Sequence, residues 1–394
     1  MKRNKPFKIK RYRRSFSGAG DRKNLLRRIG FWCAVLAVVF GLGWLIAKPG
    51  LDLASSLWYG YKNKLTTSSS SEISSTPSTP SSQSAADSGS GAGEEQQETD
   101  FSSWASVALS SVDTPEKASA LAGQLAGQGV THAVLTLKDD RGYLYYSSAV
   151  PMAANAISST TVDAAAIADA FRQAGITPVA GLCAFKDSLA PYADRSAAVK
   201  YLNQDILWLD TSAELGGKPW LNPNAASAQQ YIADLIAEVR DLGFETVLIQ
   251  NLQFPEGNGL DLAGYGDLTV SRQELLAQIG QRYQSIEGVE VWFEFPAAAI
   301  LGQSVESYGA SPAGFGLQRV IARMDATSTT NETGEATTTD PASDSATLTA
   351  LLDPLRAGGV QQTGLRLVGM SAEGLTAAAD TAEQLGFDAF FSAS

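Results

Sequence analysis

Six short clusters of polar residues interrupt apolar stretches of this chain, and each lies where such a stretch ends: Lys138-Asp139-Asp140, Lys186-Asp187, Gln250-Asn251-Gln253, Glu294, Arg323 with Asp325, and Arg366. Carboxylates and bases meeting at one place from separate strands are what glycoside cleavage needs. One acid protonates the leaving oxygen, and a second carboxylate attacks or stabilises the sugar cation. On that reading Glu294 and Asp325 are the candidate catalytic acids. Lys138, Asp139, Lys186, Asp187, Gln250, Asn251, Gln253 and Arg366 are candidate substrate contacts, joined by Asn222. Trp220, Trp292, Tyr143, Tyr145 and Tyr146 could stack on sugar faces. The alternative is structural, because Lys-Asp pairs at strand ends also cap turns and form surface ion pairs.

The elements that must position these residues have a repeating punctuation. Gly129-Val130, Gly175-Ile176, Gly243-Phe244, Gly288-Val289, Gly359-Val360 and Gly386-Phe387 each put a glycine before an apolar residue, mostly between a helical pattern and a strand-like run. Glycine suits the left-handed position just past a helix end, so these read as helix-to-strand turns. Strands are predicted at 106–109, 130–137, 176–185, within 246–257 up to where Phe254-Pro255 ends it, 289–295, 319–324, 363–368 and 388–391. Helices are predicted from Thr114-Pro115, over 163–174 and 231–242, after Ser271, and near 347–357 and 373–385. Eight strands alternating with helices over about 290 residues match a (β/α)8 TIM barrel. An open doubly wound sheet is the competing α/β architecture, but the Gly-rich phosphate loop it usually carries after its first strand is missing.

Charge divides the chain. Residues 1–64 carry 15 Lys or Arg against Asp21 and Asp52, which leaves 15 basic and 39 acidic residues for 65–394. Residues 29–47 (IGFWCAVLAVVFGLGWLIA) hold no charge, and a helix of that length would be roughly 28 Å long, about the thickness of a hydrocarbon core. With Arg27 and Arg28 before them, they predict a transmembrane signal-anchor. The basic arm 1–28 would then be cytoplasmic, and the rest extracellular at the cell membrane. A cleaved signal peptide is the alternative, although Ala47-Lys48-Pro49 is a poor cleavage site. Residues 48–100, a juxtamembrane segment and a Ser/Thr-rich linker, would be a tether reaching on the order of 35 Å. The barrel domain is then 101–394. The acidic domain offers no basic stripe for nucleic acid. Cys33 and Cys183 cannot form a disulfide framework, and His132 is the only histidine. Neither a zinc site nor a Ser-His-Asp triad can therefore be assembled, and no cofactor is expected.

Four blocks carry a resemblance: 130–148 (VTHAVLTLKDDRGYLYYSS), 176–190 (ITPVAGLCAFKDSLA), Trp220-Leu221-Asn222-Pro223 and 242–255 (LGFETVLIQNLQFP). In this order they are similar to the putative glycoside hydrolase family, a bacterial TIM barrel distantly similar to the alpha-amylase clan and often membrane-anchored or secreted. The resemblance implies a barrel that acts on cell-envelope carbohydrate, with Glu294 placed where an amylase-like barrel could keep its general acid. Departures matter as much as matches. The family's Asp-Tyr-x-Arg-Phe-Pro at strand four reads Gln250, Asn251 and Gln253 at the Asp, Tyr and Arg positions, its third-strand arginine falls at Gly181, and its Pro-Met-x-Tyr-Pro-Ser begins here with Arg323. Two functions stay open: a hydrolase with a degenerate site, and a non-catalytic module that binds glycan or protein at the envelope. The Thr- and acid-rich insertion 326–346 is expected to be a disordered loop, and Asn331-Glu332-Thr333 within it fits a glycosylation sequon.

Overall fold

A computed structural model of the chain describes residues 101–330, 336–339 and 345–393. Eight parallel strands close into a barrel: β1 (Ser102–Val107), β2 (His132–Lys138), β3 (Thr177–Cys183), β4 (Thr246–Gln250), β5 (Glu290–Pro296), β6 (Arg319–Asp325), β7 (Gln362–Val368) and β8 (Ala389–Ala393). Each pairs with its neighbours in sequence, and β1 pairs with β8 to close the ring. Outside the ring lie α1 (Pro115–Ala126), α2 (Ala164–Gln173), α3 (Ala226–Asp241), α4 (Arg272–Gln284), α5 (Ser345–Ala357) and α6 (Ala372–Leu385). The caps anticipated from sequence are made: the Thr114, Asp163 and Ser271 side chains accept from the Lys117, Ala166 and Glu274 amides, which satisfies otherwise orphaned first-turn donors. The six turn glycines take φ between +76° and +97°, where a side chain would be strained.

Two hydrophobic layers hold the domain. The larger lies between strands and helices, and a second, separate cluster is Trp104, Val134, Val179, Leu248, Trp292, Ile321, Ala389 and Phe391. Alternation along a strand sends every second side chain inward, so this second cluster is the filling of the ring. β7 contributes Gly364 to the same layer, because a Cβ there would lie 2.9 Å from the Ile321 side chain.

Three elements depart from the sequence reading. β1 begins four residues earlier than expected, at Ser102; its serines hide an inward-facing Trp104, and Leu109 falls in a 3-10 turn instead. Between β5 and β6, where the sequence reading placed no helix, lie a short helix, Ala297–Ile300, and a 3-10 turn, Pro312–Phe315; Phe315 packs edge-on against Phe295 at 5.9 Å. The insertion after β6 is not wholly irregular: Thr327–Thr330 pairs antiparallel with Ala336–Thr339, as runs of β-branched threonine favour. The sequon at Asn331 lies outside the described residues, as do the arm 1–28, the apolar run 29–47 and the segment 48–100. Among the described residues no helix is long and apolar enough to cross a membrane.

Candidate active site at the barrel mouth

One layer above the apolar filling, the inward positions turn polar. Ser106 on β1, Gln250 on β4, Glu294 on β5, Arg323 on β6 and Arg366 on β7 meet at the C-terminal end of the strands. Glu294 is the hub, with its side chain 4% exposed. Its Oε1 accepts from Gln250 Nε2 at 2.8 Å and its Oε2 from Arg366 Nη1 at 2.8 Å. Arg366 Nη2 continues to Ser106 Oγ at 3.0 Å, and its guanidinium lies 4.9 Å from the centre of the Phe391 ring. Arg323 forks onto Asp325 through Nε at 3.1 Å and Nη2 at 2.9 Å, while its Nη1 stays 4.0 Å from Glu294 Oε1. Burial works against the Arg323 charge, but Asp325 and Glu294 outweigh it and make the guanidinium more basic. Of the sequence candidates the structure brings Glu294, Asp325, Gln250 and Arg366 together at this rim, and it adds Ser106, whose place two residues after the inward Trp104 was the available signal.

The paired Lys-Asp motifs are brought together, but away from the mouth. A register irregularity between Thr136 and Lys138 on β2 changes the face on which Lys138 lies. Its ammonium donates to the Cys183 carbonyl at 2.7 Å, lies 2.9 Å from Asp187 Oδ2, and sits 5.9 Å over the ring of Tyr231 from α3. Both side chains of this pair have no exposed surface. Asp187 Oδ1 also caps the following turn, accepting from the amides of Leu189 and Ala190. The complementary pair, Lys186 with Asp140 at 3.0 Å, is solvent-exposed. The four residues therefore lace the β2 and β3 ends together, and the expectation that Lys138 and Asp187 contact substrate is corrected: neither reaches the surface. The same lacing explains Gly142, at φ +96°, where a Cβ would lie 2.1 Å from Asp187 Oδ1. Gly142→Ala is expected to cost at least about 2 kcal/mol through left-handed strain and displacement of this carboxylate, measured as a drop in urea midpoint without a change in slope.

Other candidates divide by burial. Trp292 is corrected: it is 3% exposed within the ring, one layer below Glu294, and its indole N–H donates to Glu290 Oε1 at 2.6 Å. Trp220 is also buried, its indole facing Asp210 at 3.3 Å, so it offers no sugar-stacking face. Asn222, 8% exposed, uses its amide on the Tyr265 carbonyl and the Asn224 amide, which makes Trp-x-Asn-Pro a folded turn. Asn251 takes φ +53° and accepts from the Cys183 thiol at 3.1 Å, and burial pushes that thiol up to about 12. Gln253 is buried and accepts from the Tyr308 hydroxyl at 2.6 Å. Tyr146 is buried and, with Ser148 and the Ala149 amide, holds Glu238 of α3.

Asp139 and Tyr145 remain open to ligand. They line a cleft of about 490 Å3 beside the ends of β1 and β2, with Val107, Leu109, Thr136 and Val162. Asp139 accepts from Arg141 Nε, Tyr145 Oη and the Tyr143 amide. Burial pushes its carboxyl up, but these donors win and hold it below the usual carboxylate range. Tyr143 is exposed beside Arg141.

At the opposite end of β2, His132 stacks on Trp104 at 4.7 Å. Burial lowers its pKa from the ordinary 6.5, and Glu290 opposes that shift only in part. The folded state thus binds fewer protons than the unfolded state as pH falls through about 6.5. Stability is expected to be complete above that pH and to decline below it. His132→Gln should flatten the slope of urea-unfolding free energy between about pH 6.5 and 5.

The barrel fold has counterparts in solved structures. The glycoside hydrolase domain of PgaB (BpsB) from Bordetella bronchiseptica is 14% identical over 75% of this chain and 94% of its own, with a TM-score of 0.50. The glycoside hydrolase domain of PelA from Pseudomonas aeruginosa is 17% identical over 74% and 94%, with a TM-score of 0.41. A hypothetical protein from Ruminiclostridium thermocellum is 19% identical over 48% of this chain and 96% of its own, with a TM-score of 0.43. At such identities the likeness bears on fold alone. No curated protein matches the chain. Residues 107–306, running from the end of β1 through the β5 carboxylate and just over half the chain, match the family described as "Putative glycosyl hydrolase domain", and the chain belongs to that family.

Proposed function

We propose that this protein is a membrane-anchored, extracellular barrel that binds cell-envelope polysaccharide at its mouth and no longer hydrolyses it. The observation carrying this reading is the state of Glu294, whose two oxygens already accept from Gln250 and Arg366. A glycosidase needs an acid free to release a proton and a second carboxylate facing the sugar. Gln250 supplies an amide in place of that second group, and an amide neither attacks an anomeric carbon nor balances an oxocarbenium charge. Asp325 is bound to Arg323, Asp139 to Arg141 and Tyr145, and Asp187 is buried with Lys138. The competing reading, a weak hydrolase, keeps Glu294 at the end of β5 as its proton donor.

Incubation with aryl glycosides and envelope polysaccharides separates the two. No turnover, together with a calorimetric binding signal, is expected. Turnover abolished by Glu294→Gln would establish the hydrolase instead. The anchoring half of the proposal rests on the uncharged run 29–47 behind Arg27 and Arg28. A reporter fused after Ser394 should be active only outside the cytoplasm, and activity inside would refute this orientation.

A further inference from the structure

The rim holds two guanidinium groups on neighbouring strands, since Arg323 and Arg366 are register partners on β6 and β7. They differ in freedom. Arg366, 18% exposed, is committed to Glu294 and Ser106. Arg323 is 41% exposed, and among the described residues its Nε and Nη2 are engaged only by Asp325, a carboxylate two residues along the same strand that is itself 53% exposed. Its Nη1 faces Glu294 Oε1 from 4.0 Å, beyond hydrogen-bond reach. Among the described residues it has no hydrogen-bond acceptor.

A guanidinium fork closed by a planar carboxylate is the geometry with which proteins recognise carboxylate ligands. Here the carboxylate is intramolecular and wet, and exposed pairs of this kind hold weakly against water and competing anions. Asp325 therefore occupies the place of an exchangeable ligand. The surrounding domain limits what that ligand can be. Residues 101–394 carry 15 basic and 33 acidic side chains, a field that repels a long polyanion and leaves room for an isolated acidic unit.

We infer that the mouth recognises a uronic-acid residue within the bound glycan, its carboxylate displacing Asp325 from Arg323 while Nη1 meets a neighbouring hydroxyl of the same sugar. This rests on the glycan-binding reading and adds to it the chemical class of the sugar. The sugar carboxylate takes over the two donors that Asp325 releases, and Asp325 turns to water.

The test titrates the full-length chain in detergent micelles with matched pairs of envelope polysaccharide fragments, one member native and uronate-bearing, the other carboxyl-reduced to the neutral sugar. A phosphate-bearing fragment forms a third arm. The native form is expected to bind at least about tenfold more tightly than its reduced partner. Arg323→Gln should erase that preference, and Arg323→Lys, which keeps charge without the fork, should restore only part of it. Asp325→Asn, which removes the internal competitor, should tighten uronate binding about threefold, and it reports independently should Arg323→Gln prove poorly folded. Equal affinity for native and reduced forms overturns the uronate inference while leaving glycan binding intact. Preference for the phosphate arm overturns the carboxylate assignment. Absence of binding to every fragment overturns this inference together with the proposed function.

Discussion

Lys138→Met is expected to destabilise the barrel by about 3–5 kcal/mol, the usual cost of leaving one half of a buried ion pair alone. Neither Lys138 nor Asp187 has exposed side-chain surface, so water cannot take the missing partner's place. What remains around Asp187 is the pair of amides at Leu189 and Ala190, which cannot neutralise a carboxylate. The Cys183 carbonyl also loses its 2.7 Å donor. Methionine matches the lysine stem in volume, so little of the effect should come from a cavity. At about 2–4 °C per kcal/mol for a domain of this size, the melting temperature should fall by roughly 6–20 °C, measured by circular dichroism. The exposed pair supplies the contrast: Lys186→Ala should cost at most about 1 kcal/mol, although the two lysines occupy look-alike Lys-Asp motifs. A small effect of Lys138→Met would mean that the two motif ends are held by something other than this ion pair.

That contrast also marks where the sequence could be read and where it could not. Six strands, β2 to β5, β7 and β8, were legible because each follows a glycine stop and carries an apolar run, signals that act within a few residues; β6 was read from its apolar run, and β1, without a stop before it, was placed four residues late. The rim was legible in part for the same reason. Glu294, Arg366 and Asp325 are polar residues breaking apolar strands at their ends, and an inward position at a strand end opens on the mouth. Lys138 satisfies the same description and goes elsewhere. The register irregularity at Thr136 and Lys138 depends on how β2 meets β3, a long-range pairing that leaves no mark in the residues themselves. Trp292 failed differently, since its position was implied by a residue correctly placed. Glu290, Trp292 and Glu294 alternate on one face, so an inward Glu294 requires an inward Trp292 one layer down, inside the ring and out of reach of a sugar. Trp220 and Asn222 were out of reach, because the loop that buries them is closed by Tyr265 and Asp210, contacts set by tertiary folding alone.

The Gln250–Glu294 contact predicts a switch in pH behaviour. Gln250→Glu keeps the side-chain length and places a carboxylate oxygen where Nε2 now donates, 2.8 Å from Glu294 Oε1. Two carboxylates at that distance cannot both ionise cheaply, and such pairs share a proton, with one macroscopic pKa raised. Arg366 and Arg323 temper the repulsion without abolishing it, because Arg366 is already spent on the other oxygen of Glu294 and Arg323 stands 4.0 Å away. An acid whose folded pKa is raised binds its proton more tightly when folded, so the variant should be most stable at low pH and lose stability as pH rises above about 4. A raise of two units corresponds to roughly 2.7 kcal/mol lost by neutral pH. Urea unfolding of the variant and the parent from pH 4 to 8 should give curves that diverge upward in pH by about that amount, and parallel curves would show that the two side chains do not share the rim as this geometry requires. The same experiment bears on the chemistry. If the shared proton in Gln250→Glu titrates near neutrality and glycoside turnover appears with it, the amide at 250 is what separates this barrel from a working hydrolase; a shared proton without turnover places the difference in the arginines that hold the rim closed.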